Sequence, residues 1–185
     1  MESTLYIPEE IDEELSQLPY EDREIQGAFI FGDRERYRGQ ENRDDTFVAS
    51  YVITGIGDKT SVTGDSEQIA ALERLRQTTE FDYRMFHSHP AEAEREGYGR
   101  PDIFSLQDKR GTKIRQERVN NKNYFDTLIA PDRQREGHIY IISDSDVDIE
   151  VVENWYEDDG TGWREVEEEI DEMWDRIGGK VINPF

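Results

Sequence analysis

Cysteine is absent from the 185 residues of this chain. That excludes disulfides, thiolate metal sites and a thiol nucleophile, and it leaves the redox compartment unreadable. Histidine is scarce as well: three copies confine any imidazole chemistry to His87, His89 and His138. Lysine occurs only as Lys59, Lys109, Lys113, Lys122 and Lys180. No apolar run approaches the roughly 20 residues of a membrane span. The N-terminal MESTLYIPEEIDEEL has neither the basic region nor the apolar core of a signal peptide. A soluble, cytoplasmic protein is therefore expected. No basic face is evident, and a phosphate backbone needs one, so nucleic acid is not an expected partner.

Acid is what the chain has in excess, with a net charge of −22. Self-repulsion at that density costs stability, and salt screens it over roughly 10 Å at 0.1 M and roughly 3 Å at 1 M. The composition points to a salt-loving, halophilic organism. The melting temperature is accordingly expected to rise from low to molar salt, and a melting curve indifferent to salt would contradict that reading.

The length fits one domain with a terminal extension, large enough for a core without staples. Leu5-Tyr6-Ile7 reads as a short strand stopped by Pro8. Residues 8–18 read as a helix with Ile11, Leu15 and Leu18 at helical spacing, ended by Pro19. Glu24–Gly32 is a buried strand, 33–45 a charged loop, and 46–57 a strand rich in β-branched and aromatic residues. Residues 64–79 carry Ile69, Leu72 and Leu75 on one helical face, with Asp65 or Ser66 as N-cap. The segment 83–90 is a strand, and 91–100 a charged, glycine-punctuated mobile loop. A helix over 105–120 is interrupted at Gly111. Strands follow at 123–130, 137–144 and 147–155. After the linker EDDGTG, residues 163–177 form an amphipathic helix whose apolar side includes Trp163, Ile170 and Trp174. The pattern is an α/β or α+β domain, a mixture of strands and helices around one sheet.

Chemistry concentrates at MFHSHP. On a strand, residues two apart share a face, so His87 and His89 stand side by side while Ser88 faces away. Two imidazoles about 2.0–2.1 Å from one ion is ordinary zinc chemistry; alone, the pair is equally a polar strand end. Downstream, Ser105 and Asp108 lie three apart at the start of a helix. That is a capping-box variant, yet Asp108 could also complete a His/His/Asp triad with the fourth position open, as in catalytic zinc sites. A base is still needed to take a proton from water and pass it to a leaving amine. Glu24, at the head of the buried strand before Gly27, is the candidate, although on composition alone one glutamate among many carries no signal. His138 has no partner motif and reads as structural.

Taken together, Glu24 with Gly27, His87-Ser88-His89-Pro90 and Ser105-Leu106-Gln107-Asp108 resemble the JAMM (MPN+) motif of zinc-dependent isopeptidases that deconjugate ubiquitin-like modifiers. The resemblance covers roughly residues 1–155 and leaves 156–185 as a linker and C-terminal helix. It implies a central mixed β-sheet flanked by helices. It implies that His87, His89 and Asp108 bind Zn2+, that Glu24 serves as general base and then acid, and that Ser105 bonds the tetrahedral oxyanion. It makes Ser88 a spacer. The implied activity is cleavage after the C-terminal glycine of a ubiquitin-like modifier, by Glu-assisted attack of zinc-bound water. A peptidase acting on sulfur-carrier or small peptide adducts would use the same site. A non-catalytic scaffold would not need all the ligands, and a phosphoesterase would want a phosphate-binding loop that is missing. Two departures stand out. Pro90 to Phe104 is longer than the family's usual spacing, a potential flap beside the cleft. Gly32 falls one residue later than the family's second glycine, a shift that a β-bulge would absorb and that leaves Glu21 as the alternative to Glu24 for the base.

Overall fold

The run DYRMFHS becomes β5, Asp82–Ser88, and every residue after Asp82 in it is buried. A strand covered on both faces usually reads as a near-continuous apolar run; this one instead buries the polar Arg84, His87 and Ser88 beside Tyr83, Met85 and Phe86. It lies at the centre of a six-stranded mixed sheet of order β7-β6-β5-β2-β4-β9. The other members are β2 (Ile25–Phe31), β4 (Ser50–Ile56), β6 (Thr127–Pro131), β7 (His138–Ile142) and β9 (Lys180–Ile182). A smaller parallel sheet joins β3 (Thr46–Val48), β1 (Ser3–Pro8) and β8 (Val147–Val152) in that order. The helices are α1 (Glu9–Leu15), α2 (Ser66–Thr78) and α3 (Leu106–Val119). This computed structural model describes residues 3–31, 46–48, 50–78, 82–119, 124–143, 146–152 and 180–182. The fold is mixed α/β, of the α+β kind, as the sequence pattern predicts, but among the described residues its strands form two sheets where one was expected, because β1 pairs with β3 and β8 and not with the larger sheet. The expected charged loop at 33–45, the linker and the helix at 163–177 lie outside the described residues.

Within those residues the elements run strand, helix, Glu-strand, strand, helix, His-strand, Ser/Asp helix, strands. Some boundaries move. The first helix stops at Leu15 and is followed by a 3-10 turn, Leu18–Tyr20, that contains Pro19. Asp65, and not Ser66, caps α2, taking bonds from the Glu67 and Gln68 amides at 2.9 and 3.0 Å. Gly111 does not interrupt α3: a glycine costs a helix only about 1 kcal/mol relative to alanine, and no turn signal follows it. β9 and the 3-10 turn Ala91–Ala93 were not anticipated.

The two sheets meet through α1. Ile11 and Leu15 pack with Leu5 and Ile7 of β1, and with Phe29, Tyr51, Phe86, Phe125 and Ile129 of the larger sheet or its flanks. Phe86 is the pivot, with its ring 4.9 Å from that of Phe29. His138, read as structural, proves to be tied to α1: its Nε2 lies 2.8 Å from Asp12 Oδ1, which also accepts from the Tyr140 hydroxyl at 2.6 Å.

Phe86 also explains Gly27. The β2–β5 register sets Gly27 opposite Phe86. A Cβ at Gly27 would stand 2.3 Å from Phe86 Cζ and 2.4 Å from the Val52 carbonyl oxygen. Gly27→Ala should thus destabilise the fold by about 1–3 kcal/mol through overpacking. In thermal unfolding that is a melting point lower by roughly 2–4 °C per kcal/mol for a chain of this size. An unchanged melting point would mean that the Phe86 ring and the Val52 peptide both move aside freely.

Candidate metal centre and catalytic cleft

Strands β5 and β6 are parallel neighbours, and α3 is the crossover between them. Side chains at the carboxyl end of β5 and in the first turn of α3 therefore converge, as they do at the carboxyl ends of open α/β sheets generally. His87 is the last but one residue of β5. His89 lies just past the strand's end, contrary to a strand running to Pro90, but its amide still donates to Ile129 O at 3.2 Å. That bond keeps the chain extended, so both imidazoles share a face.

His87 Nε2 and His89 Nε2 are 3.2 Å apart. Asp108 Oδ1 is 3.5 Å from His87 Nε2, and Asp108 Oδ2 is 3.6 Å from His89 Nε2. Three ligands held about 2.0–2.1 Å from a tetrahedral ion are separated by edges of about 3.3 Å. The two imidazoles have that spacing, the carboxylate meets them through different oxygens, and one ligand atom from each of the three residues lies within 4.8 Å of the others, so the group could hold a metal ion. The tautomer also fits. His89 Nδ1 lies 3.1 Å from the Pro101 carbonyl oxygen. A carbonyl can only accept, so Nδ1 carries a proton, and in the neutral ring Nε2 is the nitrogen left to bind a cation.

Asp108 is aimed by its own helix. Its carboxylate accepts from the Ser105 amide at 2.7 Å, and its amide donates to Ser105 Oγ at 3.2 Å. This is the reciprocal capping box, so the structural and chemical readings of Ser105-x-x-Asp108 hold together. Because Ser105 Oγ accepts from Asp108, its own proton stays free to donate into the cleft. One turn on, the Thr112 hydroxyl bonds both Asp108 O and the buried Asp126 carboxylate, which fastens this end of α3 to the sheet.

Glu24 precedes β2. Its amide donates to Asp58 O at 2.6 Å and its carbonyl accepts from Gly57 at 2.8 Å. Its Oε1 stands 3.9 Å from His89 Nε2. Glu21 is exposed and does not line the cleft. The bulge anticipated in β2 is placed differently: the register shift is against β4, where Gln26 faces Gly55 and Gly27 faces Ile53, so the extra residue is Thr54. The pairing of β2 with β5 is regular.

Charge is strongly biased here. Burial would raise the Asp108 carboxyl, but with no cation present the facing imidazoles of His87 and His89, and the Ser105 amide, hold it far below the usual carboxylate range. Burial raises Glu24 above its ordinary value; the two histidines oppose that shift, and Asp108 and Asp58 reinforce it. For His89, burial opposes the charged ring, but Asp108, Glu24 and the Pro101 carbonyl outweigh it and the net shift is upward. Two carboxylates facing two imidazoles thus form a cage with high affinity for positive charge.

Comparison of the chain with protein-family models and with curated proteins returns no match. The resemblance stated above therefore rests on the motif residues themselves.

All five motif side chains line one cleft of about 420 Å³. A neighbouring cavity of about 570 Å³, bordered by Ile69, Tyr83, Met85 and Tyr124, shares Gln26 and Arg115 with it. The segment 91–100 forms one wall. It is less loose than its composition implies: Lys59 binds Glu96 and Arg133 binds Glu94, each at 2.6 Å. Such exposed pairs contribute little energy singly, but they join the segment to two other loops. Among the described residues no helix is long and apolar enough to cross a membrane.

Three contributors were not legible as such. Pro101 acts through its backbone, which sequence does not display. Asp58 closes an Asx turn on Thr60 and Ser61, and Asp-Lys-Thr-Ser is a turn signal that could have been read. Ser88 is not a mere spacer: it is fully buried, and its Oγ accepts the Ile25 amide at 3.0 Å.

Proposed function

We propose that this chain is a zinc-dependent isopeptidase of the JAMM (MPN+) type, cleaving after the C-terminal glycine of a ubiquitin-like modifier. The observation that carries the reading is the one cleft in which a close-spaced His/His/Asp group faces a fourth side chain, the acidic Glu24, that is not part of that group. A closed structural site would use four protein ligands, whereas three ligands leave a position open for chemistry. The donor set, two imidazoles and one carboxylate, suits zinc.

Zinc held there supplies Lewis-acid activation of water and of the scissile carbonyl. The rest falls to side chains. The water oxygen bonds to the carbonyl carbon, and Glu24 takes the proton released. Ser105 donates a hydrogen bond from its free hydroxyl to the oxyanion of the tetrahedral adduct. Glu24 then passes its proton to the amine nitrogen as the carbon–nitrogen bond breaks, and with the second water proton also reaching the amine the products are a glycine carboxylate and a lysine ammonium. The raised affinity of Glu24 for a proton suits a group that must both take and return one. The adjoining cavity gives an extended tail room to continue beyond the glycine.

The test is hydrolysis of a ubiquitin-like domain whose terminal glycine is joined to a fluorescent amine, assayed in molar salt. Turnover that a chelator abolishes and zinc restores supports the proposal. Turnover insensitive to chelator, or none with zinc supplied, overturns it.

A further inference from the structure

Glu24 does not hold its own position; the peptide that follows it is held from both sides. The Glu24 carbonyl accepts from the Gly57 amide at 2.8 Å, on the β4 side. The amide of the same peptide unit, Ile25 N–H, donates to Ser88 Oγ at 3.0 Å, on the β5 side. The regular β2–β5 ladder ends at the Gln26–His87 pair, so this side-chain bond is what continues the tie between the strands. Fixing both polar groups of that peptide plane fixes its orientation, and with the Glu24 amide also held on Asp58 O at 2.6 Å, the direction in which the Glu24 Cβ leaves the backbone is set. Ser88 is 0% exposed, so no water replaces its oxygen if that oxygen is lost.

We infer that Ser88, between the two histidines, is a positioning residue: through Ile25 it sets the reach of Glu24 toward the metal centre. The inference rests on the isopeptidase reading for its kinetic consequence, though not for its structural one. One short segment thereby serves both halves of the chemistry. Its odd-numbered histidines point to the cation, while the intervening hydroxyl points the opposite way and aims the base. A proton shuttle works only within hydrogen-bond reach, and misplacement by about 1 Å can cost roughly 10²-fold in rate.

Ser88→Ala, Ser88→Thr and Ser88→Val separate the hydroxyl from the volume, since threonine and valine differ only in it. In zinc-loaded protein, assayed on the ubiquitin-like fluorescent amide, Ser88→Ala and Ser88→Val should lose roughly 10²-fold in kcat, with KM and zinc content held. Ser88→Thr should retain most of kcat. The Ile25 amide should exchange with solvent faster in the alanine and valine variants, and stay protected in the threonine one. A crystal structure of zinc-loaded Ser88→Ala should show Glu24 Oε1 displaced from its place 3.9 Å from His89 Nε2. Wild-type kcat in Ser88→Ala, equal losses in threonine and valine, or an undisplaced Glu24 would each overturn the inference and leave the isopeptidase reading intact. Absence of turnover in the wild type would overturn that reading instead, and the exchange and crystallographic results would still decide where Ser88 holds Glu24.

Discussion

Glu24→Gln is expected to lower kcat on the modifier fusion by roughly 10²–10⁴-fold, the usual contribution of a positioned general acid–base group, while zinc content stays at the wild-type level. Glutamine keeps the shape and the oxygen of glutamate but cannot accept the proton of an attacking water. The metal should remain because the close-spaced ligand group is His87, His89 and Asp108, without Glu24. Kinetics alone would not separate a base from a ligand, so turnover and elemental zinc analysis must be read together. Lost turnover with zinc retained identifies the base. Zinc lost along with turnover would make Glu24 a fourth ligand and the site structural. Retained turnover would end its role altogether. Glu21→Gln is the matched control: Glu21 is exposed outside the cleft, so its variant should turn over like the wild type.

The parts of this site that sequence could display are those carried by side-chain identity at fixed local spacing. His87 and His89 fall on one face because the chain is extended there, and Ser105 and Asp108 face each other because they open a helix. Both relations follow from backbone periodicity alone. Glu24 is different. Its place beside His89 depends on the pairing of β2 with β5, a contact across more than sixty positions of chain (63 for the Ile25–Ser88 bond), and no local pattern contains it. The choice between Glu24 and Glu21 could only be geometric. The same limit hid Pro101, whose carbonyl orients His89, and Ser88, whose burial turns a small polar residue into a strand-to-strand tie. Gly111 shows the converse. A local breaker signal was read as a helix interruption, yet α3 runs through it, held by Thr112 and by Arg115 on Asp126. Tertiary anchoring outweighed a propensity cost of about 1 kcal/mol.

His89→Ala is expected to abolish metal binding, and with it all turnover. The wild type purified in molar salt should carry about one zinc per chain, the stoichiometry of a single site of this ligand set; the variant should carry none. His89 is the ligand of choice for this test because the others are entangled with the fold. Asp108 caps α3 as well as facing the histidines, so its loss would mix metal release with a capping cost of about 1 kcal/mol. His87 lies within the buried strand. His89 sits past the strand's end, and its other tie is to Pro101 O. Stability supplies a second readout. A metal that binds only the folded state adds about 4 kcal/mol when free zinc exceeds its dissociation constant a thousandfold. A chelator should therefore lower the wild-type melting temperature and leave that of His89→Ala unmoved. Both proteins responding alike to chelator would place the metal elsewhere. A wild type without zinc, even when zinc is supplied, would mean that the cage seen between β5 and α3 does not serve a cation, and the non-catalytic scaffold would then replace the enzyme as the reading to pursue.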